Sequence, residues 1–249
     1  NGGIGTYIKA STQSHAEAND RANDGLRVNG NELRVKVIGE GGNLGITQLG
    51  RIECARHGVA LSSDAIDNSA GVDCSDHEVN IKILLGGVMQ ACDMTLKQRN
   101  ELLAEMTDEV GHLVLRNNYL QTQILAVNKA HAAQMLSAQQ RMISHMEKTG
   151  ELNRALEFLP DDSAIAERRA SRQGLTSPEV AVLLAYSKIS LDRALQASAL
   201  PDHPDLDSVL VNYFPSALQT RFADAMRRHP LQREIIANQL ANQVVNRMG

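Results

Sequence analysis

The sequence predicts an α/β region over residues 1–92 followed by an all-helical region over residues 93–249. Three observations lead there. An order of strand pattern, glycine turn and helix pattern occurs twice in the first region. Strand patterns then stop, and from Thr95 onward apolar residues recur at helical spacing. With 249 residues, 43% of them hydrophobic, the chain can bury one large core or two ordinary ones.

The chain opens on a Gly-rich segment, and a polar helix is expected from Ser14 to Asn23. Leu33, Val35, Val37 and Ile38 mark a first strand, Glu40 to Gly45 (EGGNLG) a turn, and Thr47 to Arg56 a helix. A second strand runs from near Val59 to Ile66. Asn68, Ser69 and Gly71 then turn the chain, and Ser75 opens a helix carrying Val79, Ile81, Ile83, Leu84 and Leu85. Ser75 and Glu78 have the SxxE spacing of a capping box. Two such turns at the carboxyl edge of one open sheet would face one crevice, the usual place for a ligand. The glycine spacing is not the dinucleotide fingerprint GxGxxG.

Downstream, Leu102, Leu103, Met106, Val110, Leu113 and Val114 give one helical face over Leu96 to Leu115, with Gly111 its weak spot. Apolar residues at helical spacing continue from Ile124 to Met146, and Gly150 suits a C′ stop. The methionines on that face read as core filler. Ser163 to Gln173 is a short helix ended by Gly174. Thr176-Ser177-Pro178-Glu179 starts another, with a hydroxyl cap, Pro in the first turn and Glu placed to return a bond. Pro201 and Pro204 mark a loop, Phe214-Pro215 a break, and two helices close the chain. The last carries an apolar face (Ile235, Ile236, Leu240, Val244, Val245) that needs a partner surface.

Composition excludes several classes. A net charge of −4, with 25 Lys and Arg against 29 acids, argues against a nucleic-acid surface. With 3% aromatics and no Trp, neither a base-stacking platform nor a membrane-interface belt is supported. No apolar run approaches the roughly 20 residues that span a bilayer, and no secretion signal is encoded, so the expected compartment is the cytoplasm. Cys54, Cys74 and Cys92 fit neither a disulfide framework nor a zinc site and are expected to be reduced, buried thiols. Asn1 falls inside a motif without a preceding methionine, so the chain reads as a piece of something longer.

Long motifs carry a resemblance. Asn1 to Tyr7 (NGGIGTY), Val37 to Gly45 (VIGEGGNLG), Arg51 to Glu53 and Asp67 to Leu85 (DNSAGVDCSDHEVNIKILL) resemble the last part of the nucleotide-binding domain of the large bacterial NAD-dependent glutamate dehydrogenases. Leu175 to Leu191, Tyr213-Phe214-Pro215, Arg221-Phe222 and His229 to Gly249 resemble the helical region that follows that domain. The resemblance implies that residues 1–92 are the distal part of a Rossmann-like NAD-binding domain and residues 93–249 a helical C-terminal domain. It implies oxidation of L-glutamate to 2-oxoglutarate and ammonia with NAD as cofactor, in an enzyme that forms a homo-oligomer.

Read from residue chemistry alone, Asn43 and Asn68 are turn residues. By resemblance, Gly41, Gly42 and Asn43 match the EGAN segment and Asn68 the NAGGV segment, both beside the nicotinamide. Gly42 stands where Ala is more familiar, and Ser69-Ala70 where Ala-Gly is. Ser75 reads as a helix N-cap, and by resemblance its hydroxyl binds the side-chain carboxylate of the substrate, with Val72 lining the same pocket. A helix start would favour that anion as well.

Asp73, Asp76, His77 and Glu78 have no spacing of a known hard-metal loop, so no metal is expected. Cys74 and His77 lack the oxyanion hole and orienting acid of a nucleophile and base. By resemblance the catalytic Lys and Asp lie upstream of Asn1, and Lys82 is in the wrong segment to replace them. The chain is therefore expected to supply one wall of an active site and to be inactive alone. The alternative reading, from another class, makes residues 93–249 a helical assembly or regulatory module within a large multidomain enzyme.

Overall fold

The computed structural model describes residues 4–248; the first three residues of the NGGIGTY motif and Gly249 lie outside the described residues. The described residues are mostly helical, with one small parallel sheet. It forms two compact units, each discontinuous in sequence: one takes residues through Ser69 with Gln121–Ser187, the other Ala70–Leu120 with Lys188–Met248.

In the first unit, β1 (Ile8–Lys9) pairs in parallel with β2 (Val28–Asn29), Ile8 opposite Val28. On its other side Ile8 bridges Ile46, and Val37 bridges Ala60, both in parallel. The strands expected over 33–38 and 59–66 thus shrink to that single Val37–Ala60 bridge. Val35 and Val37 are exposed, so no second layer rewards a longer ladder there. The polar helix expected at 14–23 is two short 3₁₀ turns, Ala16–Ala18 and Arg21–Asn23. Polar tethers hold this stretch instead: the Asp20 carboxylate accepts from the Thr6 amide at 2.7 Å, and buried Arg27 donates to the Thr6 carbonyl at 2.8 Å.

Helix α1 (Gln48–Arg56) starts where Thr47 caps it, its hydroxyl accepting from the Gly50 amide at 3.0 Å. Ile46, Cys54, Val59 and Leu61 form the small core beneath the sheet. The Cys54 thiol is buried and pushed up to about 11 by burial, whereas Cys74 and Cys92 are exposed, contrary to expectation. The segment Asp64–Asp67 is a helical turn, α2, rather than the end of a strand.

Helix α3 spans Ser69–Gln90 and so begins two turns before Ser75. Asn68 alone makes the break, its amide closing α2 onto the Asp64 carbonyl at 2.9 Å, and Gly71 is tolerated inside the helix. The expected capping box is therefore absent. Ser75 donates to the Gly71 carbonyl one turn back at 3.1 Å, and Glu78 pairs with Lys82.

The remaining helices are α4 (Leu96–Glu105), α5 (Thr107–Ala130), α6 (Ala132–Lys148), α7 (Asp162–Ala170), α8 (Ser177–Gln196), α9 (Asp207–Tyr213), α10 (Ser216–Met226) and α11 (Gln232–Met248). The helix expected over 96–115 breaks at Met106 rather than at Gly111. Gly150, with φ +75°, follows α6 as expected, and at the start of α8 the Glu179 carboxylate accepts from both the amide and the hydroxyl of Thr176, each at 2.7 Å. Glu179 also forms a buried bidentate pair with Arg168 of α7, at 2.7 and 2.8 Å. Among the described residues no helix is long and apolar enough to cross a membrane.

The second unit packs α3, α4, α9, α10 and α11 around Leu85, Phe214, Leu218, Met226 and Ile235. Its polar seam is aromatic: His77 stacks on Tyr213 at 4.6 Å, and buried His229 bonds the Asn80 carbonyl at 3.1 Å. Burial holds both imidazoles below their ordinary range, so they are neutral at pH 7.

Gly174 does not end α7, which stops at Ala170. A Cβ there would lie 2.2 Å from the Ala132 carbonyl oxygen. Gly174→Ala is therefore expected to destabilise by at least about 2 kcal/mol, read in urea unfolding. The two depressed imidazoles contribute stability above the unfolded value near pH 6.5 that is lost as pH falls through the folded values. The melting temperature should fall as pH drops below about 6.5, and less steeply in His77→Phe.

Candidate functional site

The EGGNLG turn is held from behind by a buried charge network. Glu40, 1% exposed, takes Arg51 of α1 bidentately, at 2.6 Å to Nε and 2.9 Å to Nη2. Burial alone would lower the Arg51 guanidinium, but the bonds and charge of Glu40, with Asp64 adding, raise it. The same guanidinium reaches Asp64 of α2 at 3.1 Å. Four backbone amides complete the frame: Ile46 donates to Glu40 at 3.1 Å, Leu44 to Asp64 at 2.8 Å, Glu40 to Asp67 at 3.0 Å, and Asn68 to the Asp64 carbonyl at 2.9 Å.

This frame fixes the turn's conformation. The residue in the left-handed region is Leu44, with φ +61°, not Asn43. Such a φ is uncommon for a non-glycine residue and persists where surroundings over-determine it. Here the Leu44 amide is held by Asp64 and its carbonyl by the Thr6 hydroxyl at 2.8 Å.

Asn43 and Asn68 come together on the outer side of the frame. The Asn68 side-chain amide donates to the Asn43 amide oxygen. Gly41 and Asn43 are exposed, Gly42 and Asn68 half-buried. After their mutual bond the pair still has an amide nitrogen on Asn43 and an amide oxygen on Asn68. That donor and acceptor match a group presenting one of each, and swapping both amide assignments leaves the same complement.

Val72 and Ser75 lie in the second unit, three residues apart on α3, both exposed. Ser75 is inside the helix, so the expected helix-start contribution to anion binding does not apply to it. Its hydroxyl proton points to Gly71, leaving the oxygen's accepting side open. Nearby on α3, half-buried Asp73 accepts from Asn117 at 2.9 Å. Burial pushes the Asp73 carboxyl up, and Asn117 and His77 oppose it. Burial also lowers the Lys188 ammonium to about 8, against the Asp73 charge. Exposed Cys74 and buried His77 do not form a nucleophile and base. Among the described residues no group of three or more His, Cys, Asp and Glu is placed to hold a metal.

Glu40, Arg51, Asp64 and Asp67 were not singled out from the sequence as positioning residues. Their signal is an acid directly before the glycine pair and an arginine in the first turn of the next helix.

Residues 1–128 match the family described as bacterial NAD-glutamate dehydrogenase, catalytic domain. The chain belongs to this family. Residues 172–249 match the family described as glutamate dehydrogenase, C-terminal. Over all 249 residues the chain is 56% identical to the NAD-specific glutamate dehydrogenase of Pseudomonas aeruginosa, 51% to that of Halomonas elongata and 48% to that of Mycobacterium tuberculosis. It spans 15% of the length of each of these curated relatives. Within the bacterial NAD-glutamate dehydrogenase match fall both asparagines, the charge network, Val72 and Ser75.

Breaking the buried pair strands a charge, which costs about 3–5 kcal/mol, whereas an apolar pair of like volume is often tolerated. Arg51→Met is expected to destabilise by that amount, and Glu40→Leu/Arg51→Met together by much less than the sum. Chemical denaturation of the three variants checks it.

Proposed function

We propose that this chain forms one wall of the cofactor and substrate site of an NAD-dependent glutamate dehydrogenase. The enzyme oxidatively deaminates L-glutamate. The substrate loses a hydride from Cα, the resulting iminium takes up water, and ammonia leaves to give 2-oxoglutarate. When bound, NAD accepts that hydride.

The observation that carries this reading is the Asn43–Asn68 amide pair, set on a turn whose backbone is held from behind. A nicotinamide carboxamide needs one donor and one acceptor, and the pair retains one of each. Gly41 and Gly42 leave the adjacent backbone without side chains, which suits close approach of a planar ring. Val72 lines the substrate pocket in this reading, and Ser75 binds the distal carboxylate of glutamate after its hydroxyl rotates away from Gly71. No residue of this chain is assigned the proton-transfer or iminium-forming chemistry, so the chain alone is inactive.

Residues 1–92 are read as the distal part of a Rossmann-like NAD-binding domain, which the parallel pairings of Ile8 with Val28 and Ile46, and of Val37 with Ala60, support. Residues 93–249 are read as the helical C-terminal domain. Val244 and Met248 stay exposed on α11, which supports homo-oligomer contacts in the whole enzyme. The cytoplasm is the compartment in which this enzyme would meet NAD and glutamate.

The test is glutamate-dependent NADH formation by the longer enzyme carrying this chain. Asn68→Ala is expected to raise the KM for NAD about tenfold, and Ser75→Ala that for glutamate, with folding intact. Unchanged kinetics in both would reduce the residues to a turn and a helix position.

A further inference from the structure

Leu44, with φ +61°, is the left-handed residue of the EGGNLG turn. Leucine gains nothing locally from that conformation, because its side chain cannot bond the backbone and its Cβ crowds the following carbonyl. Packing contributes little, since the side chain is 68% exposed. The conformation is held by hydrogen bonds to the two peptide planes that flank Leu44, and each plane is tied to a different charge network.

The Asn43–Leu44 plane, whose setting fixes φ, is tied through the Leu44 amide to Asp64 at 2.8 Å and so to Arg51. The Leu44–Gly45 plane, whose setting fixes ψ, is tied through the Leu44 carbonyl, which accepts from the Thr6 hydroxyl at 2.8 Å. Next to it the Gly45 carbonyl accepts from the Tyr7 amide at 2.9 Å. Thr6 is buried and bonded at both ends of its own backbone. Its amide donates to the Asp20 carboxylate at 2.7 Å, and its carbonyl accepts from Arg27 Nε at 2.8 Å. The Arg27 side chain has no exposed surface and also donates to Asp24 at 2.5 Å. The hydroxyl of Thr6 is therefore presented from a fixed base.

Asn43 shares the first of the two planes, and its amide oxygen accepts from Asn68. A Leu44–Gly45 plane without its bond would let Leu44 relax toward the right-handed region favoured by L-residues, and the Asn43 side chain would swing with it.

We propose that Thr6 is a positioning residue for the nicotinamide end of NAD. Held by Asp20 and Arg27, it sets the Leu44–Gly45 peptide and thereby the register of Asn43 against Asn68. It touches no ligand itself. The inference rests on the dehydrogenase reading given above.

The experiment is steady-state kinetics of the longer enzyme carrying Thr6→Val, Thr6→Ser or Asn68→Ala, with ADP-ribose, which is NAD without its nicotinamide, as competitive inhibitor. Thr6→Val keeps the shape and removes the hydroxyl, and should raise the KM for NAD about fivefold. The KM for glutamate and the inhibition by ADP-ribose should stay at wild-type values, and Thr6→Ser, which restores the hydroxyl, should restore the KM for NAD. A folded Thr6→Val enzyme with unchanged KM for NAD, equal weakening of ADP-ribose or glutamate, or a Thr6→Ser enzyme as impaired as Thr6→Val would overturn the proposal. If Asn68→Ala raises the KM for NAD and Thr6→Val does not, the positioning role alone fails. If Asn68→Ala also leaves it unchanged, the reading of the site fails and the proposal with it. Circular dichroism checks folding, and Thr6→Ala, which keeps both backbone bonds, replaces Thr6→Val with the same expectation if the valine enzyme does not fold.

Discussion

The buried bidentate pair between Glu40 and Arg51 is the interaction on which the candidate site rests. Two charges removed from water are costly to hold, and such pairs persist only with good geometry and satisfied remaining lone pairs. Here both conditions are met. Glu40 also takes the Ile46 amide, and Arg51 also takes Asp64. Because Asp64 in turn holds the Leu44 amide, the pair couples the glycine turn to the segment that ends in Asn68. Without that coupling the two asparagines would belong to separate loops.

The helices were legible in the sequence because their signals are local. Thr47 caps α1, Glu179 takes the Thr176 amide at the start of α8, and Gly150 follows α6, each doing what its side chain or missing side chain dictates. The strands were less legible. Leu33 to Ile38 has the right residues for a strand, but a ladder depends on neighbours far along the chain, and there it extends over one bridge. Ser75 shows the opposite failure. Its spacing to Glu78 is that of a cap, yet α3 had already begun, since serine and alanine after Asn68 accept helical dihedrals as readily as turn ones.

The site followed the same division. Asn43 and Asn68 were visible through resemblance, but their mutual hydrogen bond was not, being a contact across 25 residues. Glu40 and Arg51 lie within the same motifs, but a charge in a turn reads as solvated until burial is known. In the second unit, His77 next to Cys74 suggested chemistry in one dimension; in three, it is a neutral ring packed on Tyr213.

Leu44 carries a consequence for ligand binding. A left-handed leucine fastened at its amide by Asp64 and at its carbonyl by Thr6 restrains the peptide planes on either side of it. Much of the ordering of the turn is done when the chain folds, so a ligand arriving there has less loop entropy to overcome and keeps more of its contact energy as affinity. In the proposed reading the turn is a preset template, and selectivity between carboxamides and their analogues arises from mismatch against it rather than from closure around the ligand.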